Sequence, residues 1–397
     1  MSGPSLLLHG SGRCFDGATF HAGWALLTDA DGRVAWFGAS PDAAPSTDAT
    51  RIDLGAALVT PGLVDSHTHP VFAGDRADEM HGRHTGVAYS GSGILRTVRA
   101  SRAASDADLE SLVTARLDAA LAAGTTTVEC KSGYGLSTAE ELRALRLLGR
   151  VAATHPVRVV RTLLGAHAVP PEAASIDAQV DAVCEEMIPA AAAEGLAEYV
   201  DAFCDRGFFS VAHVERIAGA AADHGLGLRL HADQLARTGA AEAGVRLGAA
   251  SVDHLEQLDA AGVAALASSP TVATLLPAPA IVLRDALPPA RALIDAGATV
   301  ALASDANAGT FSGWGAMPLV IGIASALLGM SSLEALAAAT AGGARALDRA
   351  GRIGTLAIGA EADLVAWDAA DEGAFWLTLG RTRPLRTFVA GREFTTG

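Results

Sequence analysis

The chain has 397 residues, of which 50% are hydrophobic and 18% charged, and this composition is typical of a globular enzyme with buried parallel strands. Its length fits one barrel of about 250–300 residues plus a small second domain. The formal net charge of −15 argues against nucleic acid and anionic membranes as partners, because neither attracts an acidic protein.

The N-terminal and cysteine patterns indicate the compartment. The first residues, MSGPSLLLHGSGR, lack a basic segment followed by a long apolar core, so no secretory signal is predicted. The apolar run Ala316 to Met330 is shorter than the roughly 18–20 residues of a membrane span, and we interpret it as a buried helix. The four cysteines form no C-x-x-C pair, which argues against a disulfide framework or a thiolate zinc site. We expect a cytoplasmic protein.

Both ends of the chain are rich in strand-forming residues. Near the N-terminus, the turn Asp29-Ala30-Asp31-Gly32 separates two apolar runs, which is typical of a hairpin. The C-terminal end has a similar pattern. We predict one small β-sandwich domain from residues 1–60 and 354–397, and a barrel domain from residues 61–353.

The middle of the chain alternates strand-like and helix-like segments. The predicted strands are Leu58–Val64, Thr125–Glu129, Val157–Leu163, Tyr199–Phe203, Gly227–Leu230, Ala250–Asp253, Thr271–Leu275 and Thr299–Ala303. Helical spacing is found between them in Asp106–Ala123, Thr138–Ala153, Val211–His224 and Pro288–Asp295. Repetition of strand and helix on this scale predicts an α/β fold with a (β/α)₈ TIM-like barrel. Chemistry in such a barrel lies at the C-terminal ends of the strands.

Histidines and carboxylates cluster at these predicted strand ends. Side chains at positions i and i+2 of a strand lie on one face, so His67 and His69 aim two imidazoles at one point. We interpret His67, His69, His231 and Asp305 as the ligands of one metal ion, a set that suits zinc or iron(II). Two simpler alternatives remain: Asp305 could cap the following segment, and His231 could be a core histidine bonded to backbone.

Two further histidines follow predicted strands. His254 could stabilise a developing oxyanion or pass a proton, or it could instead orient a metal ligand. His167 follows a Gly-Ala pair at a strand end, and we favour substrate contact over packing. These assignments rest on position alone.

Several of these segments resemble a known family. His-Thr-His at a strand end, a later His, then DHL and a final Ser-Asp, flanked by a split β-sandwich, resemble the amidohydrolase superfamily. Within it, the segments DSHTHPVFAGDRADE, ECKSGYGL, GAHAVP, HADQ, SVDHLE, TLLP and SDANAGT resemble the imidazolonepropionase family. The resemblance extends over nearly the whole chain and is most specific in GDR and KSGYG.

The resemblance implies a substrate and the residues that hold it. It implies one zinc or iron ion and the substrate 4-imidazolone-5-propanoate, a cyclic amide with a propionate tail. The residues implied to hold this substrate or its product, N-formimidoyl-L-glutamate, are Arg76, Tyr134, His167, Asn307, Gly309 and Thr310. Arg76 offers a planar fork for a carboxylate. The alternative for Arg76 is a surface ion pair with Asp75 or Asp78.

The implied reaction is attack of water on the ring carbonyl, followed by cleavage of the ring C–N bond. Some family members carry Glu three residues after the fifth-strand His, where this chain has Gln234, an amide that does not take up a proton at neutral pH. We therefore expect Asp305 or His254 to act as the base and Gln234 to orient substrate. The loop also has Ala308 where proline is expected, a change that keeps the polar residues.

Other interpretations stay open. Lys131 in the KSGYG motif is interpreted as an ion-pairing or substrate-orienting residue and not as a bridge between two metals. Another deaminase or cyclic amidase that acts on a nitrogen heterocycle would share the metal ligands, and a catalytically inactive barrel would have lost a ligand. A homodimer is expected because alanine-rich barrel helices often bury surface between subunits.

Overall fold

The structure is a computed structural model in which residues 5–45, 48–85 and 93–394 are described. Its strands are β1 (Leu6–Phe15), β2 (Phe20–Thr28), β3 (Val34–Gly38), β4 (Thr50–Asp53), β5 (Leu58–Pro61), β6 (Leu63–Asp65), β7 (Thr125–Lys131), β8 (Arg158–Ala166), β9 (Tyr199–Cys204), β10 (Gly227–Ala232), β11 (Ser251–His254), β12 (Val272–Leu275), β13 (Val300–Leu302), β14 (Leu364–Trp367), β15 (Pro384–Val389) and β16 (Arg392–Phe394).

Most of the helices lie between the strands β6 to β13. They are α1 (Ala77–His84), α2 (Gly93–Ala103), α3 (Asp106–Ala122), α4 (Thr138–Ala152), α5 (Ile176–Ala182), α6 (Ile188–Ala193), α7 (Val211–Asp223), α8 (Ala240–Arg246), α9 (Ala260–Ala267), α10 (Pro277–Leu283), α11 (Ala290–Asp295), α12 (Met317–Leu327), α13 (Ser332–Ala337), α14 (Gly343–Ala346) and α15 (Ala374–Thr378). Short π-helical turns at Val183–Met187 and Ala338–Gly342 join α5 to α6 and α13 to α14.

The strands β6 to β13 form one parallel sheet in chain order, with helices between them. The sheet closes between β6 and β13. There Thr68 and Ala306 form a parallel bridge, and the Asp65 carboxylate accepts bonds from the Ser304 amide (2.9 Å) and hydroxyl (2.5 Å). The predicted (β/α)₈ barrel is confirmed, and its closure brings the first and last strand ends together.

The predicted barrel elements agree closely with the structure. The helices α3, α4 and α7 begin where the pattern predicts them and end one residue earlier, whereas α11 begins two residues later than predicted. Serine N-caps fix two of these starts: Ser105 accepts from the Asp108 amide and Ser210 from the His213 amide. The apolar run near residue 320 forms α12 and buries Met317, Val320 and Ile321. No helix in the described ranges combines the length and hydropathy of a membrane span.

One strand prediction is wrong in its extent, because the predicted strand Leu58–Val64 is two strands. β5 pairs with β14, whereas β6 pairs with β7. Gly62 lies at the change of partner, where its amide donates to Asp363 O at 2.9 Å and the next amide donates to Gly124 O at 2.9 Å. The chain passes here from the terminal sheet into the barrel.

The two ends of the chain form one mixed sheet in the order β16-β15-β14-β5-β1-β2-β3, with β4 parallel to β1. The predicted hairpin is confirmed, since β2 and β3 pair in antiparallel register across its turn. Near β3, Arg33 bridges Glu361 and the Val34 amide donates to Ala360 O at 2.8 Å, so the sheet curls around a separate apolar cluster. The division into domains at 60/61 and 353/354 stays a proposal.

Gly62→Ala tests how tightly this crossing is packed. A Cβ at residue 62 would lie 2.1 Å from the Thr126 hydroxyl, so we expect a loss of about 1–3 kcal/mol in the free energy of unfolding. Denaturant unfolding measures it. Gly219→Ala is the matched control, because a Cβ at that position in α7 meets nothing within 4 Å and should be neutral or stabilising. Equal stability of the two variants would contradict the prediction.

Candidate metal centre and substrate cavity

Four predicted ligands converge at the C-terminal end of the barrel. His67 and His69 directly follow β6, His231 lies on β10, and Asp305 follows β13. The Nε2 atom of His69 lies 3.3 Å from Nε2 of His67 and 3.3 Å from Nε2 of His231. Oδ1 of Asp305 lies 3.5 Å from Nε2 of His69 and 3.7 Å from Nε2 of His67. Ligand atoms of His67, His69 and Asp305 lie within 4.8 Å of one another, as do those of His67, His231 and His254, so the predicted donors form one cluster.

This geometry fits a metal ion. Bonds of about 2.0–2.1 Å to four tetrahedral donors place those donors roughly 3.3–3.4 Å apart, close to the observed separations. The Nδ1 atoms of His67 and His231 lie 2.7 Å and 3.1 Å from the carboxylates of Asp253 and Asp201, which leaves their Nε2 lone pairs directed at the centre. Burial, together with neighbouring cationic groups, lowers the pKa of His67 and His69 well below its usual range, as neutral ligands require.

Two buried cationic side chains form ion pairs with these carboxylates. Arg229 Nη2 lies 3.3 Å from Asp253, and Lys131 Nζ lies 2.8 Å from both Glu129 and Asp201. All five side chains are inaccessible to solvent. Lys131 therefore forms ion pairs inside the barrel and does not line the substrate cavity. It is the only lysine in a chain whose 28 other Lys or Arg residues are arginine.

The charge inside the barrel also favours a divalent cation. Asp305 joins Glu129, Asp201 and Asp253 as a fourth buried carboxylate, whereas Lys131 and Arg229 supply two positive charges. When these groups are ionised, two negative charges remain without a counter-charge. Unpaired charge in a dry interior costs several kcal/mol. An ion of charge +2 held by the three imidazoles and Asp305 would balance them.

A cavity opens over this centre and contains most of the other predicted residues. It spans about 350 Å³ including the solvent at its mouth, and its lining residues are His69, Arg76, Ile94, Tyr134, His167, Phe203, His231, Gln234, His254, Asp305, Asn307 and Thr310. The barrel thus brings together side chains that are up to 241 positions apart in the chain. The roles predicted for these residues stay predictions.

Arg76 is a buried cavity residue, so the alternative of a surface ion pair does not hold. Its side chain is 3% exposed and donates from Nε (3.0 Å) and Nη2 (2.7 Å) to Glu79. Asp78, one of the partners considered, pairs with Arg96 instead. A Cβ on Gly309 would lie 2.1 Å from Nη1 of Arg76, so the guanidinium packs against that glycine.

Tyr134 and His167 lie side by side in the cavity. Their ring centroids are 5.3 Å apart, and the His167 ring stacks on His69 at 5.2 Å. His167 Nδ1 lies 2.8 Å from Gly133 O, which assigns the proton to Nδ1 and leaves Nε2 as an acceptor. Burial and the nearby His231 lower the pKa of His167 to about 3, so the ring is neutral.

Two polar loops hold Gln234 and Asn307. The Asp205 carboxylate accepts bonds from the backbone amides of Gln234, Leu235 and Ala236 at 2.8–3.1 Å. Asn307 donates to Asp305 Oδ1 (3.0 Å) and accepts from the amides of Gly309 (2.7 Å) and Thr310 (2.8 Å). Asn307 therefore holds the backbone of its own loop in place. This structural role is additional to the substrate contact predicted for it.

His254 lies at the edge of the metal centre. Its Nδ1 lies 3.5 Å from the buried Glu256, and its ring centroid lies 5.6 Å from that of His67 and 5.3 Å from that of His231. Burial opposes the charged form, but Glu256 and Asp305 outweigh burial and raise the pKa of His254. A cationic imidazole at this position is a hydrogen-bond donor.

The sequence alone did not reveal the supporting carboxylates Asp201, Asp205 and Glu141, nor the role of Arg229. For Arg229 the sequence does contain a signal of its position. Arg229 lies two residues before His231, and that spacing in a strand places both side chains on the face that points into the barrel. Asp205 bonds backbone amides about 30 residues further along the chain and Glu141 bonds amides five to eight residues before it, and no periodicity marks such contacts.

Comparisons with known proteins agree with this geometry. The model of the amidohydrolase family matches residues 58–393. The chain is 49% identical to an imidazolonepropionase of Ectopseudomonas mendocina, with 89% of each chain covered. It is 48% identical to an imidazolonepropionase of Caulobacter vibrioides, over 85% of this chain and 86% of that protein. The chain belongs to the imidazolonepropionase family of amidohydrolases.

The fold comparison adds a zinc-bound relative. A crystal structure of an adenosine deaminase from Xanthomonas campestris with bound zinc superposes with a TM-score of 0.76 at 20% identity, covering 98% of this chain and 92% of that one. At this identity the likeness establishes the barrel fold alone. The resemblance to imidazolonepropionases that the motifs indicated is confirmed by the closer relatives.

Lys131→Arg tests whether the cation at position 131 must be a lysine. The guanidinium is longer and planar, so we expect it to displace Asp201 from His231 and to weaken metal binding by about 10- to 100-fold. Competition with a chelator of known affinity measures this change. Arg146→Lys, which alters an exposed pair with Glu194, is the control and should bind metal like the wild type. Wild-type affinity in Lys131→Arg would show that charge alone matters at this position.

Proposed function

We propose that this protein is an imidazolonepropionase, which hydrolyses the ring amide of 4-imidazolone-5-propanoate to N-formimidoyl-L-glutamate in histidine degradation. It is a hydrolase that acts on cyclic amide C–N bonds, as its relatives at 48–49% identity indicate. The observation that carries the substrate assignment is the buried Arg76 in the cavity that contains the three histidines and Asp305. A cation at that position complements the propionate of this substrate.

We propose one divalent ion per subunit, zinc or iron, held by His67, His69, His231 and Asp305. The donor separations and the two excess negative charges support this assignment. When bound, such an ion polarises a carbonyl and lowers the pKa of a water molecule toward neutrality. The ligand set tolerates both metals.

The cavity residues orient the substrate. Glu79 holds the guanidinium of Arg76 in one orientation through two bonds, so its planar fork is preorganised for a carboxylate. The neutral His167 accepts a hydrogen bond from an N–H of the ring through Nε2, and Tyr134 packs beside it. Gln234 supplies an amide that donates or accepts without carrying charge.

Asp305 and His254 divide the proton chemistry between them. The Asp305 carboxylate, whose Oδ1 lies 3.5 Å from Nε2 of His69, takes the proton of the attacking water. His254, whose pKa is raised by Glu256 and Asp305 in spite of burial, donates to the carbonyl oxygen as negative charge develops there. The proton on Asp305 then passes to the leaving ring nitrogen.

The other function considered, a deaminase or cyclic amidase with a different heterocycle, is not favoured by the close relatives. The adenosine deaminase likeness concerns the fold. A homodimer, a cytoplasmic location and the absence of nucleic-acid or membrane partners stay predictions.

The first test is hydrolysis of 4-imidazolone-5-propanoate generated in situ, with metal content measured on the same sample. We expect turnover that a chelator abolishes and that zinc or iron restores, because the water and the carbonyl both need a polarising ion. A metal-loaded protein without turnover would reject this substrate. Turnover that persists after complete metal removal would reject the metal-dependent reaction.

Arg76→Ala tests recognition of the propionate. We expect KM to rise by at least about 10-fold while metal content stays at the wild-type level, because a charge-assisted bidentate pair contributes roughly 1.5–3 kcal/mol. Steady-state kinetics and metal analysis measure both quantities. Arg146→Ala removes an exposed arginine and should leave both unchanged. Loss of metal from Arg76→Ala would contradict the assigned role.

A further inference from the structure

The loop Ser132–Leu136, which follows β7, has a constrained backbone. Gly133 has φ of 99° and Leu136 has φ of 57°. A bulky residue such as leucine rarely adopts this left-handed conformation, and it persists only where the surroundings enforce it. A Cβ on Gly135 would lie 2.6 Å from the backbone of α4. The loop that carries Tyr134 is therefore held close to α4 in a strained conformation.

Glu141, on α4, enforces this conformation. Its fully buried carboxylate accepts bonds from the amides of Gly133 (2.8 Å), Gly135 (2.8 Å) and Leu136 (2.6 Å). The hydroxyl of Ser132 also bonds to it. Glu141 does not line the cavity, so its whole hydrogen-bonding capacity serves the loop.

Three other side chains hold the carbonyls of the same loop. His167 Nδ1 donates to Gly133 O at 2.8 Å, Arg102 Nε to Gly135 O at 2.8 Å, and Gln179 Nε2 to Leu136 O at 3.1 Å. The position of Gly133 thus fixes the orientation of the His167 ring. A shift of the loop would move Tyr134 and turn His167 at the same time.

We propose that Glu141 is a positioning residue for the reaction, which sets Tyr134 and His167 for the substrate through its bonds to the loop Ser132–Leu136. This inference rests on the proposed function. Glu141 touches neither the substrate nor the metal ligands and acts only through these two cavity residues. Its carboxylate is required because both oxygens accept from N–H groups.

Glu141→Gln is the direct test. The glutamine keeps one acceptor oxygen and turns an NH₂ group toward backbone N–H donors, so part of the loop is released. We expect kcat/KM per metal-loaded molecule to fall by about 10- to 100-fold, with metal content at the wild-type level. Glu140→Gln is the matched control on the same helix, since Glu140 is partly exposed and pairs with Arg143 at 3.0 Å. It should behave like the wild type.

A double-mutant cycle separates positioning from general destabilisation. If Glu141 acts through His167, Glu141→Gln should cost a smaller factor in kcat/KM in a His167→Ala background than in the wild type. An unchanged factor would overturn the proposal. So would a kcat/KM of Glu141→Gln equal to that of the wild type.

Arg102→Ala provides a second variant if Glu141→Gln does not fold. Arg102 holds the loop from a partly exposed position, and its removal should lower kcat/KM in the same direction with metal retained. Wild-type kinetics in Arg102→Ala would then overturn the proposal. Absence of turnover in the wild-type protein itself would reject the proposed function and, with it, this role of Glu141. Wild-type turnover combined with unaffected variants rejects the role of Glu141 alone.

Discussion

Ionised side chains buried inside the barrel are the constraint on which the rest of this structure depends. Five such side chains lie on β7, β9, β10 and β11 without access to solvent: Glu129, Lys131, Asp201, Arg229 and Asp253. Each charge is acceptable only beside its partner, because an unpaired ion in a dry interior costs several kcal/mol. The strand register must therefore bring these groups within about 3 Å of one another. The same register brings the Nε2 atom of His69 within 3.3 Å of the Nε2 atoms of His67 and His231.

The molecule organises its cavity in two different ways. The proposed metal ligands lie at strand ends, and two of them, His67 and His231, are oriented by carboxylates that are themselves paired with Arg229 and Lys131. The residues proposed to contact substrate lie mostly on loops, and buried side chains hold those loops by their backbone groups. Asp205 does so beside Gln234, Asn307 does so after the last strand, and Glu141 does so around Tyr134. The strands therefore position the proposed metal ligands, and the hydrogen-bonded loops position the residues proposed to bind substrate.

The surroundings of Asp305 and His254 raise the pKa values of these two side chains for different reasons. Burial raises the pKa of the Asp305 carboxyl, whereas acidic neighbours raise the pKa of the His254 imidazole in spite of burial. In the proposed reaction, Asp305 takes up a proton and His254 donates one.

The sequence by itself determined the barrel and most of its element limits, and it indicated the proposed metal ligands, because these depend on local patterns: alternating strand and helix, the His67-x-His69 spacing, and polar residues after apolar runs. It also indicated the family through GDR and KSGYG. Tertiary structure alone decided the remainder. The split of the first barrel strand at Gly62 depends on which distant strand each half pairs with. The pairing of Lys131 with Asp201 depends on strands that are 70 positions apart in the chain. The contacts of Arg76 with Glu79 and of Glu141 with its loop are close in sequence, but their burial is set by the packing of the surrounding barrel.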